Sequence, residues 1–163
     1  MPDSTVSIRA ATEADVPLIL DFVRALAEYE REPDAVVATE DDLRRWLFGE
    51  KPVAEVVFAR VDGRDIGFAL FFTNFSTWVG KPGLYLEDLF VLPDDRRRGI
   101  GRALLAHLAR LAIGRGYGRL EWSVLDWNEP AIGFYGRLSA KAMDEWTTFR
   151  IEGDVLRELA SDT

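Results

Sequence analysis

Residues 94–108, Asp-Asp-Arg-Arg-Arg-Gly-Ile-Gly-Arg-Ala-Leu-Leu-Ala-His-Leu, set three consecutive arginines and a Gly-Ile-Gly step against the start of an apolar helix. The first turn of a helix carries unpaired N–H groups and the positive end of the helix dipole, and glycines let the main chain approach a ligand closely. That combination takes an anion, and the arginines suit one that bears several charges. The phosphate-binding pattern G-x-x-x-x-G-K-[S/T] is absent, because Gly101 is followed by Arg102 and Ala103. A dinucleotide fingerprint wants a small residue at 104, where this chain has Leu104. Taken alone, the segment is also compatible with a solvated arginine cluster at a helix start.

The elements that position this loop follow from periodicity. Val6 to Ala10 alternates like a half-buried strand, and Thr12-Glu-Ala-Asp15 reads as a capping box opening a helix over residues 13 to about 30. A second, shorter helix starts at Thr39 and stops at Gly49. Val53–Val61 and Ile66–Phe75 are β-rich runs around an Asp62-Gly63 turn, and a loop from Ser76 to Gly83 leads into a strand over Leu84–Val91. A helix over 100 to about 113 follows, then a strand from Leu120 to Leu125, a loop to Pro130, a helix over Ala131–Leu138 and a last strand over Met143–Ile151. This order predicts one α/β domain over residues 1–163, with a mixed, mostly antiparallel twisted sheet and helices on both faces.

Composition narrows the chemistry. The 163 residues are 48% apolar, enough for a substantial core, and the net charge of −8 disfavours nucleic acid and anionic membranes as partners. Without cysteine there is no disulfide, no thiolate metal site and no cysteine nucleophile, and a single histidine, His107, argues against zinc. No apolar run is long enough to span a bilayer and the N-terminus lacks a signal-peptide pattern, so a cytoplasmic protein is expected.

With the strand before it and Asp126-Trp-Asn-Glu-Pro-Ala-Ile-Gly-Phe-Tyr135 after it, the arginine-glycine loop resembles the acetyl-CoA signature of the GCN5-related N-acetyltransferase (GNAT) family. LAEYE (26–30), the Trp78–Lys81 loop and LYLEDLFV (84–91) extend the likeness to the diamine (spermidine/spermine) and thialysine branch, in collinear order over nearly the whole chain. The resemblance implies that the polyanion is the pyrophosphate of acetyl-CoA, held by Arg96, Arg97, Arg98, Gly99, Ile100, Gly101 and Arg102. Leu89, Phe90 and Val91 would offer a strand edge to the peptide-like pantetheine arm, and Asn128, Glu129, Pro130 and Ala131 would line the coenzyme. No metal is implied. The partners implied are a small amine and a second copy of the chain.

Acetyl transfer to an amine needs a neutral nitrogen, a stabilised oxyanion and a proton for the departing thiolate. An ammonium titrates at about 10.4, so a base must first take a proton. By resemblance that base is Glu87, acting through water, or else Glu87 is a counter-ion for the substrate. Strand alternation puts Asp88 on the opposite face. Tyr135, carried over from the family's Phe-Tyr pair, would protonate the sulfur, since a phenol near 10 still holds its proton at neutral pH. Tyr29, Glu30, Trp78, Glu87, Glu121, Trp122, Ser123 and Asp144 correspond to positions lining the amine site, and their acids and aromatic faces suit a cation. The chain departs from the family where Ser139 stands in place of a glycine before Ala140. The function expected is direct acetyl transfer, in a ternary complex, to a primary amine of a small polyamine or diamino acid. The alternatives are a protein or peptide N-acetyltransferase and a coenzyme A-binding sensor without catalysis.

Overall fold

The computed structural model describes residues 5–162. The chain divides after Leu125 into two compact units. In the first, strand β1 (Ser7–Ala10) is followed by a 3₁₀ turn and helix α1 (Val16–Tyr29), then helix α2 (Glu40–Phe48). Strands β2 (Glu55–Val61), β3 (Arg64–Ser76) and β4 (Lys81–Val91) follow, then α3 (Ile100–Gly114) and β5 (Leu120–Trp122). The sheet order is β1-β2-β3-β4-β5, with every pair antiparallel except the parallel pair β4 and β5. This is the mixed, mostly antiparallel sheet that the periodicity predicts.

Each face of the sheet has its own helical cover. Phe58, Phe68 and Phe90 lie directly opposite one another on β2, β3 and β4, all essentially buried, and pack against Ile19, Phe22 and Leu26 of α1 and Leu47 of α2. On the reverse face Gly67 leaves room for α3: a Cβ there would stand 3.2–3.4 Å from the side chains of Ile100 and Leu104. A strand exposes neighbouring residues to opposite sides, so the Gly67-Phe68 step serves both helical layers. Both expected helix starts are capping boxes, with Thr12 and Asp15 reciprocally bonded, and Thr39 and Asp42 likewise.

The second unit holds α4 (Glu129–Arg137) and α5 (Gly153–Ala160). Two expectations need correction here. Met143–Ile151 is irregular rather than a strand, and the helix that follows it was not anticipated. A strand needs a neighbour, which local alternation cannot supply, and this unit contains no other strand among its described residues. In the first unit, the loop expected over Ser76–Gly83 shrinks to a turn between β3 and β4, and β5 stops at Trp122.

Helix α4 ends in a Schellman motif. The N–H of Ala140 donates to the carbonyl of Tyr135, that of Ser139 to Gly136, and Ser139 takes a left-handed φ of 62°. This is the position where the family carries glycine. Ser139→Gly removes the left-handed penalty and adds unfolded-chain entropy, for a net gain of about 0.5–1 kcal/mol. The expected outcome is a thermal midpoint roughly 1–3 °C higher by calorimetry.

Candidate active site

Two features of β4 define the site. The first is where its pairing stops. β5 pairs with β4 only at Leu84, Tyr85 and Leu86, so among the described residues no strand covers that side of β4 from Glu87 to Val91. Leu89, Phe90 and Val91 lie along this uncovered stretch, with the Val91 carbonyl accepting from Arg96 Nε.

The second is a bulge. Leu70 of β3 pairs with Asp88 and Phe71 with Leu86, so Glu87 is an extra residue with no partner of its own. Directly opposed residues share a face, and residues two apart on one strand do too. Leu70 therefore shares the face of Phe68, packed under α1, and Asp88 lies on that same face with Phe90. Leu86, opposite Phe71, belongs to the reverse face. The bulge thus breaks the alternation that would have separated Glu87 from Asp88 in a regular strand.

The C-terminal end of α1 completes this corner. Tyr29 packs its ring on Phe90 with centroids 6.2 Å apart, and Glu30 is the next residue. Among the described residues no salt bridge engages Glu30, Glu87 or Asp88. Burial, then the charges of Glu87 and Glu30, push the Asp88 carboxyl up to about 7. Burial and Glu87 also raise Glu30 above the ordinary carboxylate range. Accumulated negative charge of this kind favours a cation. Asp88 is the member of this acidic corner that the sequence reading set on the opposite face; its signal would have been the Glu-Asp pair itself, had the bulge been foreseen.

The arginine-glycine loop joins β4 to α3. Gly99 caps α3 in the left-handed conformation without a side-chain bond, so first-turn N–H groups of the 15-residue helix stay available, and Arg97 is left-handed too, at φ 64°. Neighbouring left-handed residues in such a loop turn successive N–H groups toward a common anion. The arginines divide their work. Arg96 stacks its guanidinium over the rings of Tyr29 and Phe90, at 4.6 and 5.2 Å, and donates Nε to the carbonyl of Val91 at 3.1 Å. It braces α1 against β4. Arg98 donates to Asp95, a carboxylate only 5% exposed that also lies 3.6 Å from Arg64 of β3. Arg97 and Arg102 are exposed.

The remaining candidates are scattered. On β5, Glu121 is paired with Arg119 at 3.0 Å, and Ser123, just past the strand, shares a 2.7 Å hydrogen bond with Tyr85 of β4. Trp122 lies opposite Leu86. Trp78 is 86% exposed in the β3–β4 turn, and the strand from Lys81 to Glu87 separates it from the carboxylates by about 20 Å. In the second unit, Asn128 is buried and accepts the N–H of Ala131 as the N-cap of α4, with Glu129 and Pro130 in the first turn. Tyr135 is half-buried with its ring 5.6 Å from Phe134, and Asp144 is exposed in a turn.

Comparison with known proteins places this geometry. The acetyltransferase (GNAT) family model matches residues 20–139. A thialysine N-epsilon-acetyltransferase of Bos taurus is 40% identical over 95% of this chain and 97% of its own. An L-ornithine N5-acetyltransferase of Arabidopsis thaliana is 32% identical over 93% of this chain and 86% of its own. Among solved structures, an integron cassette protein from the mobile metagenome of V. cholerae superposes with a TM-score of 0.80 at 30% identity, covering 96% of this chain and 98% of that one. With the match running through the open strand edge, the glycine loop and the Phe-Tyr segment alike, the chain belongs to the GNAT acetyltransferase family and is an N-acetyltransferase.

Proposed function

We propose that this enzyme moves an acetyl group from acetyl-CoA to a side-chain amine of a small diamino compound, of the lysine-like or ornithine-like kind its relatives are named for. The observation that carries the reading is the trio Glu30, Glu87 and Asp88, three carboxylates without a salt bridge among the described residues, at the head of an open strand edge. A substrate bearing one ammonium to be acetylated and a second charged group suits such a corner by ion pairing, and Tyr29 adds an aromatic face.

The residues present fit the coenzyme. The unbonded N–H groups from Arg97 to Arg102 would hold its pyrophosphate, with Arg97 and Arg102 screening the charge. Leu89, Phe90 and Val91 would pair with the pantetheine arm. Asn128, Glu129, Pro130 and Ala131 are proposed to line it, and Tyr135 to protonate the sulfur. Bound acetyl-CoA supplies an activated thioester carbonyl. Exposed carboxylates hold the incoming cation, and a carboxylate at the bulge takes its proton. The same reading carries a cytoplasmic homodimer, supported by family likeness alone.

The test is thiol release from acetyl-CoA across a panel of thialysine, ornithine, spermidine and a peptide with a free N-terminus. Diamino compounds are expected to turn over best. A peptide that outcompetes them makes the enzyme a protein acetyltransferase, and coenzyme binding without thiol release for any amine makes it a sensor.

A further inference from the structure

We propose that Asp88, rather than its neighbour Glu87, takes the proton from the substrate ammonium, while Glu87 and Glu30 hold the cation. The inference rests on the reading of this edge as the acyl-transfer site. It begins from the register: the bulge removes Glu87 from the β3–β4 ladder, and Asp88 takes the place opposite Leu70. Asp88 is thereby fixed on a paired strand position between Leu70 and Phe90, on the face that α1 covers. Glu87 is exposed. The two carboxylates therefore differ in kind. One is held by the sheet in partly apolar surroundings, and the other reaches into water.

The charged and titratable groups around Asp88 point the same way. From β4 comes Glu87, from the end of α1 Glu30, with Tyr29 beside Phe90, and opposite Asp88 on β3 stands the apolar Leu70. Arg96 is a cation set on this corner, stacked on Tyr29 and Phe90 and bonded to the Val91 carbonyl. No hydrogen bond or ion pair among the described residues ties Asp88 to it. The result is a carboxyl pushed up to about 7 by burial and by Glu87 and Glu30. Proton transfer from an ammonium at about 10.4 to such a group is uphill by roughly three powers of ten, against more than six for an ordinary carboxylate.

In the proposed step an N–H bond of the ammonium breaks and an O–H bond forms on Asp88. The freed lone pair makes the new C–N bond at the thioester carbon as the C–S bond breaks. The second proton lost from nitrogen is matched by one delivered to the sulfur, with Tyr135 as its donor. Asp88 returns its proton to solvent before the next turnover. One proton is released for each amide made.

The experiment is the pH dependence of kcat/KM for thialysine between pH 5 and 10 at saturating acetyl-CoA, in the wild type and in Asp88→Asn and Glu87→Gln. The wild type is expected to show an acid limb breaking near pH 7. Asp88→Asn should lose roughly a hundredfold or more at pH 7.5 and lose the break. Glu87→Gln should keep an acid break, displaced to lower pH because one of the charges that raise Asp88 is gone, and raise KM for the amine. A break that persists in Asp88→Asn, or that is abolished in Glu87→Gln, overturns the assignment and leaves the acetyltransferase reading intact. A wild type silent toward every amine of the panel overturns both. Coenzyme A affinity and thermal midpoint of Asp88→Asn should match or exceed the wild type at pH 8, because an ionised, partly buried carboxylate has been removed. Loss of either with loss of activity would make Asp88 structural and sink the proposal.

Discussion

Replacing Tyr135 by phenylalanine is expected to lower turnover roughly hundredfold while changing coenzyme A affinity by no more than about twofold. The reasoning is chemical first. A phenol titrates at about 10 and a thiol at about 8.5, so at neutral pH tyrosine holds a proton that a leaving thiolate can accept. The local structure then makes the substitution clean. Tyr135 is half-buried on α4, its ring packs beside Phe134, and the helix is set by the Asn128 cap and by Pro130 in its first turn. Phenylalanine keeps the ring and deletes only the hydroxyl. Steady-state thiol release and titration calorimetry with coenzyme A check the two halves separately. Unchanged turnover would remove the general-acid role.

The largest expected effect on stability belongs to Arg9. Its guanidinium bonds Asp15 through both terminal nitrogens at 2.8 and 2.9 Å, and Asp65 through Nε and Nη2 at 3.0 and 2.7 Å. It also lies 4.8 Å from the centre of the Phe58 ring. One side chain thus ties β1 to the turn before α1 and to β3. Arg9→Met keeps the bulk but strands two carboxylates, of which the Asp65 side chain is only 9% exposed and keeps just Arg60. A loss of about 2–4 kcal/mol is expected, read from urea unfolding at pH 7.

The pH dependence has a definite sign. Hydrogen bonds from Arg9 hold Asp15 well below its ordinary 3.8 and lower Asp65 to about 2. Carboxylates depressed in the folded state contribute stability that is complete above the unfolded value and is lost as pH falls through the folded one. The wild type should therefore lose stability steeply as pH drops from about 4 toward 2, and Arg9→Met should lose much less over that interval. Parallel acid profiles would show that the network is not what stabilises the fold.

Where the sequence was legible, the information was local. Thr12 with Asp15 and Thr39 with Asp42 announce helix starts because a capping box is made within four residues, and Asp62-Gly63 announces a hairpin because both residues must take positive φ. Alternating Phe and small residues on β2 and β3 sort themselves onto two faces for the same reason. What stayed hidden depends on partners distant in the chain. The bulge at Glu87 is a mismatch between β3 and β4, so no inspection of Leu-Glu-Asp-Leu could reveal that Leu86 and Asp88, two apart, fall on opposite faces. Arg96 reads as one more basic residue of the loop until Tyr29, from α1, is found beneath it. Met143–Ile151 has the alternation of a strand, and its own unit holds no strand among the described residues for it to pair with.

The uncovered stretch of β4 is a hazard as well as the binding surface proposed for it. A row of unsatisfied peptide groups on a hydrophobic strand is a template on which another chain can grow a sheet, and such edges seed aggregation. Here the stretch opens on Glu87 and Asp88, and the whole chain carries a net charge of −8. These charges act as gatekeepers: they repel a second edge of the same protein while leaving a cationic substrate free to approach. On the proposed assignment the acids at the bulge serve both ends, and a variant that neutralised both is expected to lose colloidal stability along with catalysis.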